Sequence, residues 1–191
     1  MLQLPWREID DHWRQIAEGD VADLAESIIE TIRSAFAGVP RGRVTIHEAE
    51  VIDDYGSDAE RQKARALDTD ESWDQVRDDD ITECPTALCH LDADGWRYYV
   101  PVYMIWSLRH FRASHSIVSD FTIYTFDPHS RSPQLSEHNM ERFGLLNQAQ
   151  SRAVCWFLRY MAANEDHADV RIARLALDEF WGRFCEHSDA M

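Results

Sequence analysis

A chain of 191 residues and 22.2 kDa, 45% hydrophobic and 11% aromatic, holds enough apolar material for one compact core and too many aromatics for a disordered chain. With 35 acidic residues against 19 Lys and Arg, its net charge of -16 disfavours direct binding to nucleic-acid phosphates and to anionic lipid. No apolar run approaches the ~18 to 20 residues that cross a bilayer, and Met1 to Gly19 carries charges where a secretion signal is apolar, so a cytoplasmic location is expected.

In chain order, Trp6, Ile9, Trp13 and Ile16 predict a short amphipathic helix entered through Pro5. Val21, Leu24, Ile28, Ile32 and Phe36 predict a second, with Asp20 as its cap and Gly38 and Pro40 as its stop. Thr45 and Glu48 have the spacing of a capping box, followed by Ile46, Ala49, Ile52 and Tyr55 at helical intervals up to Gly56. The polar stretch from Ser57 to Thr69 has no apolar period and is expected to be a loop. A turn or two of helix is expected around Trp73, Val76 and Ile81.

Asp92-Ala93-Asp94-Gly95, set between Leu88-Leu91 and Trp96-Arg97-Tyr98-Tyr99, predicts a β-hairpin around Leu88 to Tyr99. Pro101 then suits the first position of a buried helix running through Val102 to Phe111. Ile117 to Phe126 is β-branched and aromatic enough for a strand, with a helix as the open alternative. Asn147 and Gln150 cap a helix carrying Ala149, Ala153, Phe157, Tyr160 and Met161. The last helix carries Val170, Ala173, Leu177, Phe180, Trp181 and Phe184, and the short polar link Asn164 to His167 predicts that the two form an antiparallel pair. The expected class is mainly α (α+β): a helical domain with one small hairpin, as a single compact unit over 1–191.

The charge is lopsided: residues 1–94 carry 24 acids and 9 Lys or Arg, while residues 95–191 carry 11 and 10. Such a field speeds encounter with a cationic protein surface, although solubility alone also explains an acidic composition. Glu48, Glu50, Asp53 and Asp54 form the densest acidic group, and Asp78, Asp79 and Asp80 form another, with Trp73 nearby as an aromatic anchor. These eight residues are the expected partner-binding set. Glu50 and Asp54, four apart on one helix face, lack the ligand-rich loop that a divalent cation needs, so no metal is assigned there.

Cys155, beside Trp156 and Phe157, reads as a buried free thiol, as does Cys185. Cys84, Cys89 and His90 offer three metal ligands at a loose spacing with no second pair, which leaves metal binding there open. No phosphate-binding glycine loop, Gly-x-Ser-x-Gly elbow or His-Glu-x-x-His motif occurs. Arg109 and His110 complement the dipole at a helix end. No catalytic residue and no cofactor is assigned.

The run Leu91 to Met104 resembles an uncharacterised family of small bacterial domains. Thr45 to Tyr55 and Leu145 to Tyr160, with Gln148 or Gln150 and Phe157-Leu158-Arg159-Tyr160, are similar to that family's pattern as well. The resemblance implies a bacterial source and a shared fold, and it carries over no catalytic or binding residue. The functional expectation is therefore a non-catalytic binding protein, of the immunity or antitoxin kind, whose acidic half covers a basic partner. The alternatives are a small cytoplasmic enzyme with a pocket near Trp96 to Phe111, using Arg97, His110 or nearby carboxylates, and a nucleic-acid mimic.

Overall fold

The computed structural model describes residues 21–129, 133–164 and 169–185, and the expected helix around Trp6 to Ile16 lies outside them, as does most of the Asn164 to His167 link. The described residues form helices α1 (Val21–Phe36), α2 (Ile46–Asp53), α3 (Asp58–Arg65), α4 (Asp78–Glu83), α5 (Ala93–His110), α6 (Val118–Tyr124), α7 (Pro133–Gly144), α8 (Gln148–Ala162) and α9 (Val170–Glu179). Short 3-10 turns occur at Trp73–Gln75, Ala87–Cys89 and Trp181–Phe184. The mainly α expectation holds, and the described residues contain no strand.

α1 buries Ile28, Ile29, Ile32 and Phe36 along one stripe, packed on α5 and α8, and ends where Gly38 takes φ 71°. α5 is the axis of the molecule. Trp96, Tyr98, Tyr99, Val100, Tyr103 and Met104 are all fully enclosed, so this helix is apolar on most sides. α1, α6, α7, α8 and the Trp73 turn surround it.

The expected hairpin is therefore replaced by a turn and a helix. Asp92 caps α5 by accepting from the Gly95 amide (3.2 Å), so the Asp-Gly signal marks a helix start and not a reversal between strands. Pro101 lies inside α5 instead of at its first turn. Its missing N–H costs about 3 kcal/mol in an exposed helix, a cost that burial of the flanking aromatics offsets. The expected strand at Ile117 to Phe126 is helix α6, in which the Thr122 hydroxyl donates to the Val118 carbonyl (2.7 Å) and Val118 and Ile123 are fully buried.

α8 starts on the expected cap: Asn147 accepts from Gln150 N (2.9 Å) and Gln150 Oε1 accepts from Asn147 N (3.2 Å). α9 runs back along α8, with Arg174 donating to the Ala162 carbonyl (3.2 Å) near one end and Cys185 reaching Cys155 near the other. That antiparallel course corrects the expectation for the two thiols. It brings their Cα atoms to 5.5 Å, and Cys155 and Cys185 form a disulfide.

Candidate functional site

α2 begins at Ile46 as the sequence predicts, but not through a Thr45–Glu48 capping box. The Thr45 hydroxyl takes no amide of the first turn, and Asp68, from the loop after α3, accepts from His47 N (3.2 Å) in its place. Glu48, only 1% exposed, turns instead toward α3, where Arg65 donates to it at 2.7 and 2.6 Å and Arg61 at 3.2 and 3.0 Å. These four bonds explain why Ser57 to Thr69 holds a helix and not the expected loop. Arg61 and Arg65 are four apart and must share a face to grip one carboxylate. Ser57 and Glu60 supply a complete capping box at its start, a signal that sits in the sequence as Ser-x-x-Glu.

On its other side α2 lies along the segment that leaves α4. His47 Nε2 is 3.8 Å from Glu83 Oε2, Glu50 Oε1 accepts from Thr86 N (3.3 Å) and Oγ1 (3.1 Å), and Asp53 Oδ1 is 3.1 Å from His90 Nε2. Glu83, Glu50 and Asp53 consequently follow one edge of α2, whose C-terminal end exposes Asp54 and Tyr55. Burial raises the Glu50 carboxyl above its usual range, against the hydrogen bonds from Thr86.

Of the eight residues expected to bind a partner, Glu50, Asp53 and Asp54 sit on this edge, and Asp78 and Asp79 are exposed on the first turn of α4. Asp78 pairs with His110 Nε2 at 3.0 Å, and Asp80 folds back onto Arg77. Asp54 and Asp79 take no cation among the described residues. Glu48 is withdrawn from the expected set because it is buried under two arginines. Trp73 is withdrawn as well: it is buried, and its indole N–H donates to the Phe36 carbonyl (2.9 Å), so it cannot be an exposed anchor.

The most exposed aromatic among the described residues is Tyr55. After α2 the Tyr55 amide bonds to Ile52 O (3.1 Å) and the Gly56 amide to Val51 O (2.8 Å), the two bonds of a helix-ending turn whose left-handed position is normally glycine. Here that position is Tyr55, at φ 57° and 97% exposed. Gly56 is required beside it, since a Cβ there would lie 2.4 Å from Val51 Cγ1.

A polar network that sequence reasoning did not find links the same region to α5. Asp68 Oδ1 is 2.6 Å from His47 Nδ1, and Arg41 donates to the carbonyls of Asp68 (2.6 Å) and Asp70 (2.9 Å). Asp70 Oδ2 accepts from the Tyr98 hydroxyl (2.8 Å). Burial and the neighbouring Asp70 push the Tyr98 and Tyr99 hydroxyls well above the ordinary tyrosine range, so both act as donors. Asp68 orients His47 as a general-base dyad would, yet the other ring nitrogen faces the Glu83 carboxylate and not a nucleophile. The network's role in the described residues is to pin the 68–70 loop to α2 and α5.

The residues considered for an enzyme do not converge. Arg97 Nε donates to Gln150 Oε1 (3.3 Å) while His110 pairs with Asp78, and thirteen residues of one helix hold them about 20 Å apart. Cys84 is buried, and no group of three or more His, Cys, Asp or Glu among the described residues is arranged to hold a metal ion.

A model described as a family of unknown function (DUF6714) matches residues 24–184. The chain belongs to the DUF6714 family. Searches of curated proteins and of solved structures found no match. The matched span of this DUF6714 protein takes in the whole acidic edge, Tyr55 and the Arg61–Glu48–Arg65 cluster. Among the described residues no helix is long and apolar enough to cross a membrane.

The cluster gives the DUF6714 chain a pH signature. Burial opposes ionisation of Glu48, but the hydrogen bonds and charges of Arg65 and Arg61 together outweigh it and hold the carboxyl below its usual value of 4.5. A carboxyl depressed on folding contributes stability that is complete above the ordinary value and is lost as pH falls through the folded one. Glu48→Gln is expected to lower the unfolding free energy by roughly 1 to 3 kcal/mol at neutral pH. Urea titrations at neutral and at strongly acid pH should show that difference shrinking toward zero in acid.

Proposed function

We propose that this is a non-catalytic binding protein of the bacterial cytoplasm, acting as an immunity or antitoxin-like factor, whose acidic edge and Tyr55 dock on a cationic protein surface. The observation that carries the reading is that the chain keeps, at two helix ends, groups that work against its own stability. Asp53 and Asp54 close α2 and Glu83 closes α4, where the helix dipole disfavours negative charge by about 0.3 to 1 kcal/mol per group. Neither last turn holds a basic residue. Tyr55 adds a left-handed backbone that costs a bulky residue about 1 to 2 kcal/mol and leaves its ring in solvent. A ring beside carboxylates suits the Lys and Arg of a basic surface, through cation–π contact and ion pairing.

The bacterial part of this reading rests on the family resemblance, and the cytoplasmic part on the acidic composition, which is common among cytoplasmic proteins. The disulfide stands against it, since such bonds persist mainly in oxidising compartments; both of its sulfurs are buried, which slows exchange with soluble thiols.

Two measurements test the reading. Tyr55→Gly relieves the strain and is expected to raise the unfolding free energy by about 0.5 to 1 kcal/mol in a urea titration, because glycine's own entropy cost cancels part of the gain. The same variant should lose partner affinity. Co-purification from the native host at low salt should capture a basic protein that high salt releases and that Tyr55→Gly fails to retain. Capture of no partner, or equal capture by the variant, contradicts the proposal.

A further inference from the structure

Among the described residues, three arginines gather where the 42–44 segment crosses the start of α5. Arg43, Arg61 and Arg65, with Val44 and Asp92, line a cleft of about 420 Å³, within the range that small-molecule sites occupy. The crossing of the 42–44 segment over α5 beside the cleft is tightly built. A Cβ on Gly42 would lie 2.1 Å from Gly95 N, and one on Gly95 would lie 2.7 Å from both Val44 O and Asp92 Oδ1, so neither glycine tolerates a side chain. Asp92 Oδ1 also accepts from Val44 N (3.3 Å), tying the segment to the helix cap.

We propose that this cleft binds a phosphate group. Glu48 lies beneath Arg61 and Arg65 and fixes both guanidinium planes through four bonds. Each guanidinium carries five N–H donors, so more than half of the pair's donors stay unused by Glu48. Arg43 stands at the cleft mouth, 90% exposed, its Nε 3.5 Å from Asp92 Oδ2. The two carboxylates are already engaged: Glu48 by its two arginines, Asp92 by two backbone amides and Arg43. A carboxylate ligand has two oxygens, which a single arginine fork satisfies; three guanidiniums match the three terminal oxygens of a phosphate monoester or of free phosphate. Arg61 also lies 3.7 Å from the exposed Asp58 carboxylate, and none of Glu50, Asp53, Asp54 and Glu83 lines the cleft.

The test is an NMR titration of the full chain that follows the arginine Nε–H and the backbone amides of residues 42–44 and 92–95. The probes are inorganic phosphate and glycerol phosphate, with acetate and sodium chloride at matched ionic strength as controls. Saturable shifts confined to these resonances with either phosphate probe support the site, and the tighter of the two identifies free or esterified phosphate as the source. Arg43→Ala, which removes an exposed side chain outside the Glu48 cluster, should weaken binding about tenfold, the loss expected for charge-assisted hydrogen bonds. Arg65→Lys keeps the charge but loses the fork and should weaken it as well. Shifts that acetate or chloride reproduces, or unchanged affinity in Arg43→Ala, overturn the proposal.

Discussion

Reducing the Cys155–Cys185 bond is expected to lower the unfolding free energy by about 3 to 4 kcal/mol, the loop-closure value for a cross-link of this span. The two cysteines are 30 residues apart, and the bond joins the buried face of α8 to the residue that follows the Trp181–Phe184 turn. The chain between them holds α9, which lies on α8 and is fixed at its far end by this bond. Cys155→Ser or Cys185→Ser should show the same loss in denaturant as the reduced wild type. Intact mass after thiol labelling should count two reactive cysteines, Cys84 and Cys89, in the unfolded oxidised chain and four after reduction.

Trp96→Ala should cost about 3 to 5 kcal/mol, a large fraction of the roughly 5 to 15 kcal/mol that holds a typical domain folded. Trp96 is fully buried in α5, edge-on to Phe126 at 5.8 Å and tilted against Phe143 at 6.1 Å. Its indole N–H donates to Thr125 Oγ1 (2.6 Å), and the Arg142 guanidinium lies 6.0 Å from its ring. Arg142 is itself buried, with its Nη2 on the Leu91 carbonyl at 2.6 Å, and burial pulls its pKa down to about 10. Truncating Trp96 therefore opens a cavity, strips Thr125 of a partner and removes the ring that faces a buried cation. Trp96→Phe keeps most of the volume and should cost clearly less. Chemical denaturation with near-UV circular dichroism separates the three proteins.

The amphipathic helices were legible in the sequence because each has one wet face. α1 and α8 show the 3.6-residue period, a stop at Gly38 and a cap at Asn147, and the structure places them as expected. α5 hides from the sequence for the opposite reason. It is enclosed on most sides, so its apolar residues carry no period, and without one the Asp-Gly pair resembles a turn. α6 was open to either reading because β-branched residues fit a helix whenever packing around them favours it. Helix α3 hid behind its polarity: the residue that orders it, Glu48, belongs to another helix, and only the Ser57–Glu60 cap was local. The sequence predicts no element at helix α7, which precedes Asn147.

The edge was half legible. Acid clusters at 48–54 and 78–80 stand out in the sequence, but which carboxylates are neutralised depends on Arg61, Arg65, Arg77, His90 and His110, and only folding sets those pairings. Tyr55 looked like one more apolar residue at helical spacing. Its left-handed backbone, which moves the ring from the core to the solvent, is visible only once the helix has been seen to end at Asp53.

The most direct measurement pairs stability with association in one double variant, Asp54→Lys and Glu83→Lys, compared with the wild type against the same captured partner at low and high salt. Both lysines land at helix C-termini, so the fold should be unharmed or a few tenths of a kcal/mol more stable. The predicted result is a fall in association rate of at least about tenfold at low salt, with the two proteins converging as salt rises. A double variant that binds at the wild-type rate, with the same salt dependence, would show that the negative charge at these helix ends has no part in recognition.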